Sequence, residues 1–177
     1  MRIISGRFKG QKLQVLRKGV RPTTDRVKES LFSIIRYRLS GVDVLDLFAG
    51  IGGLGFEALS EGARSCCFVD KSYKAISMLK SNCIHLGIDE NVEYYRSSAA
   101  KFLDQINSKS YDIIFIDPPY ALYIIKKIVN KIIETNTLKE NGLIIAESRI
   151  DEKIEKADAK IIRVEKYGET KLTFFGH

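Results

Sequence analysis

The stretch Val44-Leu45-Asp46-Leu47-Phe48-Ala49-Gly50-Ile51-Gly52-Gly53-Leu54-Gly55 decides how this chain is read. It predicts a buried strand, a glycine turn, and the opening of a helix that continues through Phe56-Glu57-Ala58-Leu59. Glycines at 50, 52 and 55 let the backbone turn sharply and sit against a ligand where a Cβ would collide. Asp70 follows at the end of the next apolar run, at a spacing that suits an acid holding a ribose. Asp46, at the strand end, narrows the ligand further. A dinucleotide would place its pyrophosphate near this turn, where a carboxylate repels it. S-Adenosyl-L-methionine has no phosphate and carries an ammonium and a sulfonium, so an acidic strand end favours the methyl donor over nicotinamide cofactors. The plainer alternative is a tight strand-to-helix turn with no ligand.

The 177 residues fit one domain with a sizeable core, and 45% apolar with 29% charged residues is ordinary for a globular protein. No run reaches the roughly 18 apolar residues of a membrane span, and the N-terminus is too basic and too broken by Gly for a signal segment. A cytoplasmic protein is expected. Three cysteines without C-x-x-C spacing give neither a disulfide framework nor a metal site, and Cys66, Cys67 and Cys83 read as reduced packing residues. His85 and His177 are too isolated for a metal centre, so no metal is expected.

The net charge of +7 is uneven: residues 1–40 hold 11 Lys or Arg against 2 acids, and residues 41–177 hold 18 against 20. A basic arm on a slightly acidic body is the footprint of a phosphate-binding attachment, although a solvated face has the same composition. Short alternating runs at 1–8 and 11–16, around Lys9-Gly10, predict a β-hairpin within a basic extension spanning residues 1–21, ahead of a main domain at 22–177. Arg2, Arg7, Lys9, Lys12, Arg17 and Lys18 are its candidate RNA-backbone contacts. Ile3, Phe8, Leu13 and Leu16 would face the core, and the hairpin can both cover the core and clamp a nucleic acid. After Pro22, with Thr23 and Thr24 as capping residues, Val27, Leu31, Ile34, Ile35 and Leu39 recur at helical spacing over about four turns. The N–H groups and the two hydroxyls at that helix start are suited to a carboxylate, or simply to capping.

Beyond the glycine turn, strands are predicted near 42–47, 65–70, 92–95, 112–116 and 142–147, with helices near 53–61, 72–86, 98–107 and 122–134. Alternating βα units make a parallel sheet with helices on both faces, and ligands then lie at the carboxyl ends of the strands, where Asp46, Asp70 and Asp117 fall. Runs at 159–165 and 170–175 around Gly168 predict an antiparallel hairpin closing one edge.

The second informative stretch is the strand Tyr111-Asp112-Ile113-Ile114-Phe115-Ile116 running into Asp117-Pro118-Pro119-Tyr120. Two prolines fix φ and remove two N–H donors, leaving a rigid turn that presents carbonyls, one carboxylate and an aromatic ring. Such an acceptor site fits the exocyclic amine of a nucleobase. Its lone pair is conjugated into the ring until acceptors hold its N–H bonds and turn the nitrogen toward an electrophile. Asp117 and the Pro118 carbonyl can do this while Tyr120 stacks on an extruded base. No general base is needed, because the nitrogen becomes acidic once methylated.

Asp117-Pro118-Pro119-Tyr120 resembles the Asp/Asn-Pro-Pro-Tyr/Phe motif of amino-directed methyltransferases, and Asp46-Leu47-Phe48-Ala49-Gly50-Ile51-Gly52 resembles their cofactor motif. Met1-Arg2-Ile3-Ile4-Ser5-Gly6, Arg21 to Phe32, Glu147-Ser148 and Lys166-Tyr167-Gly168-Glu169-Thr170 are similar to the RsmD-type guanine-N2 methyltransferases of bacterial small-subunit ribosomal RNA, a resemblance over essentially the whole chain. It implies a class I methyltransferase (Rossmann-like) α/β fold with a mostly parallel seven-stranded sheet, S-adenosyl-L-methionine as cofactor, and methylation of one guanine amine in RNA of the small ribosomal subunit; a monomer is expected. By position it places Asp46, Gly50 and Gly52 at the methionine end of the cofactor, Thr23 and Thr24 near its carboxylate, Asp70 on its ribose, and Asp117, Pro118, Pro119 and Tyr120 at the base, with Phe48 also among the cofactor-binding residues. One departure stands out. Many relatives of this class hold the adenine amine with an acid after the third strand, and here that stretch is Arg96-Ser97-Ser98-Ala99-Ala100, leaving Ser98 as a weaker acceptor.

The nearest rival is an adenine-N6 methyltransferase on DNA or RNA, which uses the same acceptor turn. The chain has little surface to read a duplex, which suits a pre-folded RNA read by shape. A protein-glutamine methylase fits the basic arm poorly. A catalytically silent RNA-binding module fits the intact Asp117 and glycine turn poorly.

Overall fold

Along each central strand, alternate residues fall into two apolar sets, and each set recruits its own layer of helices. The computed structural model describes residues 1–15, 25–88, 90–106, 109–119, 123–154 and 157–176. The order is α1 (Asp25–Ile35), β1 (Asp43–Leu47), α2 (Gly53–Ser60), β2 (Ser65–Asp70), α3 (Tyr73–Leu86), β3 (Val92–Arg96) and α4 (Ala99–Gln105). Then come β4 (Tyr111–Ile116), α5 (Ile125–Glu134), β5 (Leu138–Arg149), β6 (Lys160–Tyr167) and β7 (Thr170–Gly176). The seven strands form one sheet in the order β3-β2-β1-β4-β5-β7-β6. β1 to β5 run parallel, and β7 lies antiparallel between β5 and β6. This is the class I methyltransferase arrangement, with the order reversing beside β1, where a doubly wound sheet opens its ligand crevice.

Val44, Cys66, Phe68, Ile113, Phe115 and Ile145 face one layer with α1, α2 and α3, whereas Leu45, Leu47, Cys67, Val69, Ile114 and Ile144 face the other with α4 and α5. The period of two is what a strand buried on both faces requires. Cys66, Cys67 and Cys83 are buried thiols outside any disulfide, and burial pushes the Cys67 thiol up to about 12. α3 is capped at one end by the Ser72 hydroxyl, which accepts from the Ala75 N–H, and at the other by Gly87 at φ 65°. Among the described residues no helix is long and apolar enough to cross a membrane.

The expected N-terminal hairpin forms over a short length: Arg2 and Lys12 make an antiparallel bridge, the Ile3 N–H donates to the Gln11 carbonyl and the Leu13 N–H to the Met1 carbonyl, and a turn fills residues 5–10. Other donors of the arm go to α2, since Ile4 and Ser5 donate to the Glu57 carboxylate and Phe8 to the Ser60 hydroxyl. Ile3, Phe8 and Leu13 point into the core as expected, and Leu16 lies outside the described residues. In addition, β5 begins at Leu138, before the expected start, because the pairing of Tyr111 with Leu138 resumes at Ile113 with Leu143 across an irregularity. α1 ends at Ile35 and tightens into a 3₁₀ turn at Arg36–Arg38. The expected edge hairpin forms, with Gly168 at φ 58° between β6 and β7.

Candidate active site

Two turns leave the sheet side by side. β1 pairs with β4 so that Leu47 lies opposite Ile116, and the glycine turn and the Asp117-Pro118 turn therefore spring from adjacent strand ends. Parallel neighbours are about 4.8 Å apart, so the two segments start one strand spacing from each other. Asp117 is half-buried, Pro118 buried and Pro119 exposed, while Tyr120 lies outside the described residues. Glu147 and Ser148 continue β5 beside this turn and are buried.

The glycine turn is held by its own carboxylates. The Gly50 N–H donates to Asp70 Oδ2 at 3.0 Å, and Asp70 Oδ1 accepts from the Ser72 N–H at 2.8 Å. The Gly55 N–H, in the first turn of α2, donates to Asp46 Oδ2 at 3.0 Å. These are the donors that a dinucleotide-binding turn aims at a pyrophosphate, and here both are already taken by acidic side chains. Asp46 is 2% exposed, and its burial, with the Asp70 charge nearby, raises its carboxyl to about 7 despite the Gly55 bond. A cation arriving here would meet two carboxylates, and a phosphate would find its donors taken.

The three motif glycines do different things. Gly50, at φ 56°, has open space beside it, and a Cβ built there would meet only the Phe48 carbonyl at 4.0 Å. Gly52, at φ 87°, is filled in by Phe56 and Leu79, and a Cβ on Gly55 would strike the Phe68 ring at 2.3 Å. The collision expected with a ligand is, at Gly52 and Gly55, a collision with the protein's own core. Phe48 itself sits at φ 66°, a conformation that costs a non-glycine residue about 1 kcal/mol or more. Ser98 is the N-cap of α4, its hydroxyl accepting from the Lys101 N–H at 3.3 Å. Beside it the Ser97 hydroxyl is buried with no hydrogen-bond partner among the described residues. Thr23 and Thr24 lie outside the described residues.

In the arm, Arg2, Arg7, Lys9 and Lys12 are all exposed, with Arg7 over the Phe8 ring at 5.2 Å and Arg2 paired with Asp25 at 3.4 Å. Arg17 and Lys18 lie outside the described residues. Sequence reasoning missed what holds the arm down. Lys28 and Glu57 form a fully buried ion pair at 2.8 Å, and Glu57 also accepts from the Ile4 and Ser5 N–H groups while Lys28 donates to the Arg2 carbonyl. A signal was available: Glu57 is the one acid in the apolar helix Gly53–Ser60, and Lys28 shares a helix face with Phe32 and Ile35.

The chain matches, over residues 1–176, the family described as conserved hypothetical protein 95. YlbH of Bacillus subtilis is 40% identical over 180 residues, covering 99% of this chain and 98% of its own. The Haemophilus influenzae protein named ribosomal RNA small subunit methyltransferase D is 39% identical over 154 residues, 85% of this chain and 80% of that one. The chain belongs to this RsmD-type family. Among solved structures, yhhF from Escherichia coli superposes with a TM-score of 0.88 at 30% identity, covering 99% of this chain and 96% of that one.

Proposed function

We propose that this protein transfers a methyl group to the exocyclic N2 amine of a guanine in small-subunit ribosomal RNA. The observation that carries the reading is the pairing of β1 with β4, which sets a glycine turn held by acidic side chains beside a rigid acceptor turn. The cofactor is S-adenosyl-L-methionine, which supplies a sulfonium-bound methyl group as electrophile. The residues present fit it: Gly50 leaves open space, Asp46 is a buried carboxylate in need of a cation, and Asp70 stands at the end of β2 for a ribose. Phe48 and Gly52 shape the same turn, Ser98 marks the adenine side, and Thr23 and Thr24 complete the proposed set.

The chain's own work is positioning. The Asp117 carboxylate and the Pro118 carbonyl accept the amine's two N–H bonds and aim its lone pair at the methyl carbon, with Tyr120 stacked on the base. With the methyl donor held by Asp46, Gly50 and Asp70, the carbon–sulfur electron pair would stay with sulfur as the nitrogen–carbon bond formed, and the methylated amine would lose one proton to water. The exposed cations of the arm hold the RNA backbone, and a monomer suffices for this. Mass mapping of modified nucleosides in ribosomal RNA, from cells with and without this gene, tests the reading. Loss of one N2-methylguanosine is expected, and loss of an N6-methyladenosine instead would overturn the choice of base.

A further inference from the structure

A buried side chain on α3 ties the arm to the glycine turn. Asn82, on α3, is 0% exposed and makes three hydrogen bonds, all to backbone outside its own helix. Its Oδ1 accepts from the Gln14 N–H at 2.7 Å, and its Nδ2 donates to the Gln14 carbonyl at 3.2 Å and to the Ile51 carbonyl at 3.1 Å. Gln14 belongs to the basic arm, and Ile51 lies between the two turn glycines. α3 is itself tied to the turn at its other end, where Asp70 accepts from both Gly50 and Ser72. The arm's opposite end is fixed to α2 through Glu57, and the Met1 side chain lies against Gly53, where a Cβ would come within 2.6 Å of its sulfur. The arm therefore straddles the turn, with a buried anchor on each side of it.

We propose that Asn82 is a positioning residue that couples the arm to the cofactor turn, so that RNA on the arm and methyl donor in the turn bind cooperatively. This rests on the function proposed above. A buried amide has no water to fall back on, so movement of Ile51 as a ligand enters must carry Gln14 with it or break a bond that nothing replaces. The coupling is reciprocal: whatever RNA does for the cofactor, the cofactor does for RNA. The amide is suited to the task because it both donates and accepts, which neither an aspartate nor an apolar residue does at neutral pH.

The test combines hydrogen exchange with a binding cycle. In the parent protein, S-adenosylhomocysteine should slow exchange at the Gly50 and Gly52 amides and also at the Gln14 amide, which belongs to the arm. Saturating S-adenosylhomocysteine should tighten binding to small ribosomal subunits from cells lacking this gene by about fivefold or more, and Asn82→Leu should bring that ratio close to unity. A merely structural role would weaken both ligands and leave the ratio unchanged. Protection of the turn without Gln14, or an unchanged ratio in Asn82→Leu, overturns the coupling and leaves the cofactor assignment standing. Protection of neither segment removes both. If Asn82→Leu fails to fold, exchange in the parent still decides.

Discussion

Asp46→Asn separates the charge of the buried carboxylate from its shape. The amide oxygen can still accept from the Gly55 N–H, so the turn keeps its bond and loses only the ionisation. Burial and the Asp70 charge raise the Asp46 carboxyl from 3.8 to about 7, and each tenfold change in an ionisation constant is worth about 1.4 kcal/mol. Ionising Asp46 in the native protein therefore costs on the order of 4 kcal/mol more than in the unfolded chain. The sign follows from proton counts. Between 3.8 and about 7 the native state keeps a proton that the unfolded chain has lost, so stability falls as pH rises through that window and levels off above it. Below 3.8 this contribution is fully present. Urea unfolding of the ligand-free proteins should show the parent losing about 1.4 kcal/mol per pH unit relative to Asp46→Asn between pH 5 and 7, with no further divergence beyond. Binding of S-adenosylhomocysteine should show the mirror image: parent affinity falls as pH drops below about 7, because the carboxylate that pairs the ammonium is being protonated, while the variant binds weakly with little pH dependence. A stability difference that stays flat with pH would refute the reasoning, since the shape change alone is indifferent to pH.

Asp117→Ala should fold and bind S-adenosylhomocysteine nearly as the parent does while turnover falls by about a hundredfold or more, and methylation at the parent rate would move the active site elsewhere. Lys28→Met should destabilise by about 3–5 kcal/mol, because it strands the Glu57 charge in the core, and Lys28→Met with Glu57→Gln should recover most of that loss in urea unfolding. Lys9→Ala with Lys12→Ala should raise KM for small ribosomal subunits and flatten the log–log salt dependence by roughly 0.7–0.9 for each lost phosphate contact, with the target guanine unchanged. Equal slopes in parent and variant would leave the arm as a cover for the core.

Most of the sheet is legible in the sequence because parallel strands buried on both faces leave continuous apolar runs, as at Cys66–Val69 and Ile113–Ile116, and because these runs end in Asp70 and in Asp117-Pro118. The arm is harder to read. Its alternation of Ile3, Phe8 and Leu13 with cations correctly separates an inner from an outer side. The same alternation suggests the short ladder between residues 1–3 and 11–13, but not that the backbone donors at Ile4, Ser5 and Phe8 are satisfied by side chains of α2, more than fifty residues away. Periodicity reports which side chains are buried, and a distant Glu57 or Ser60 leaves no mark on it. The early start of β5 escapes for a related reason: Lys139 and Glu140 break the apolar pattern even though Leu138 is paired.

The glycine motif has two meanings where its spacing suggests one. Spacing identifies a strand-to-helix turn, but whether a missing Cβ makes room for a ligand or for a neighbour depends on what lies across from it. Phe56, Phe68 and Leu79 close over Gly52 and Gly55, so those positions bring α2 down onto the sheet and thereby bring the Gly55 N–H within reach of Asp46. Only with that approach does the strand-end carboxylate become buried and its proton hard to remove. The packing glycines thus set the electrostatics that the acidic strand end alone suggested. A larger residue at Gly55 should lift α2, free Asp46 toward solvent and lower its carboxyl toward the ordinary range, removing the preference for a cation without touching any residue that faces the ligand.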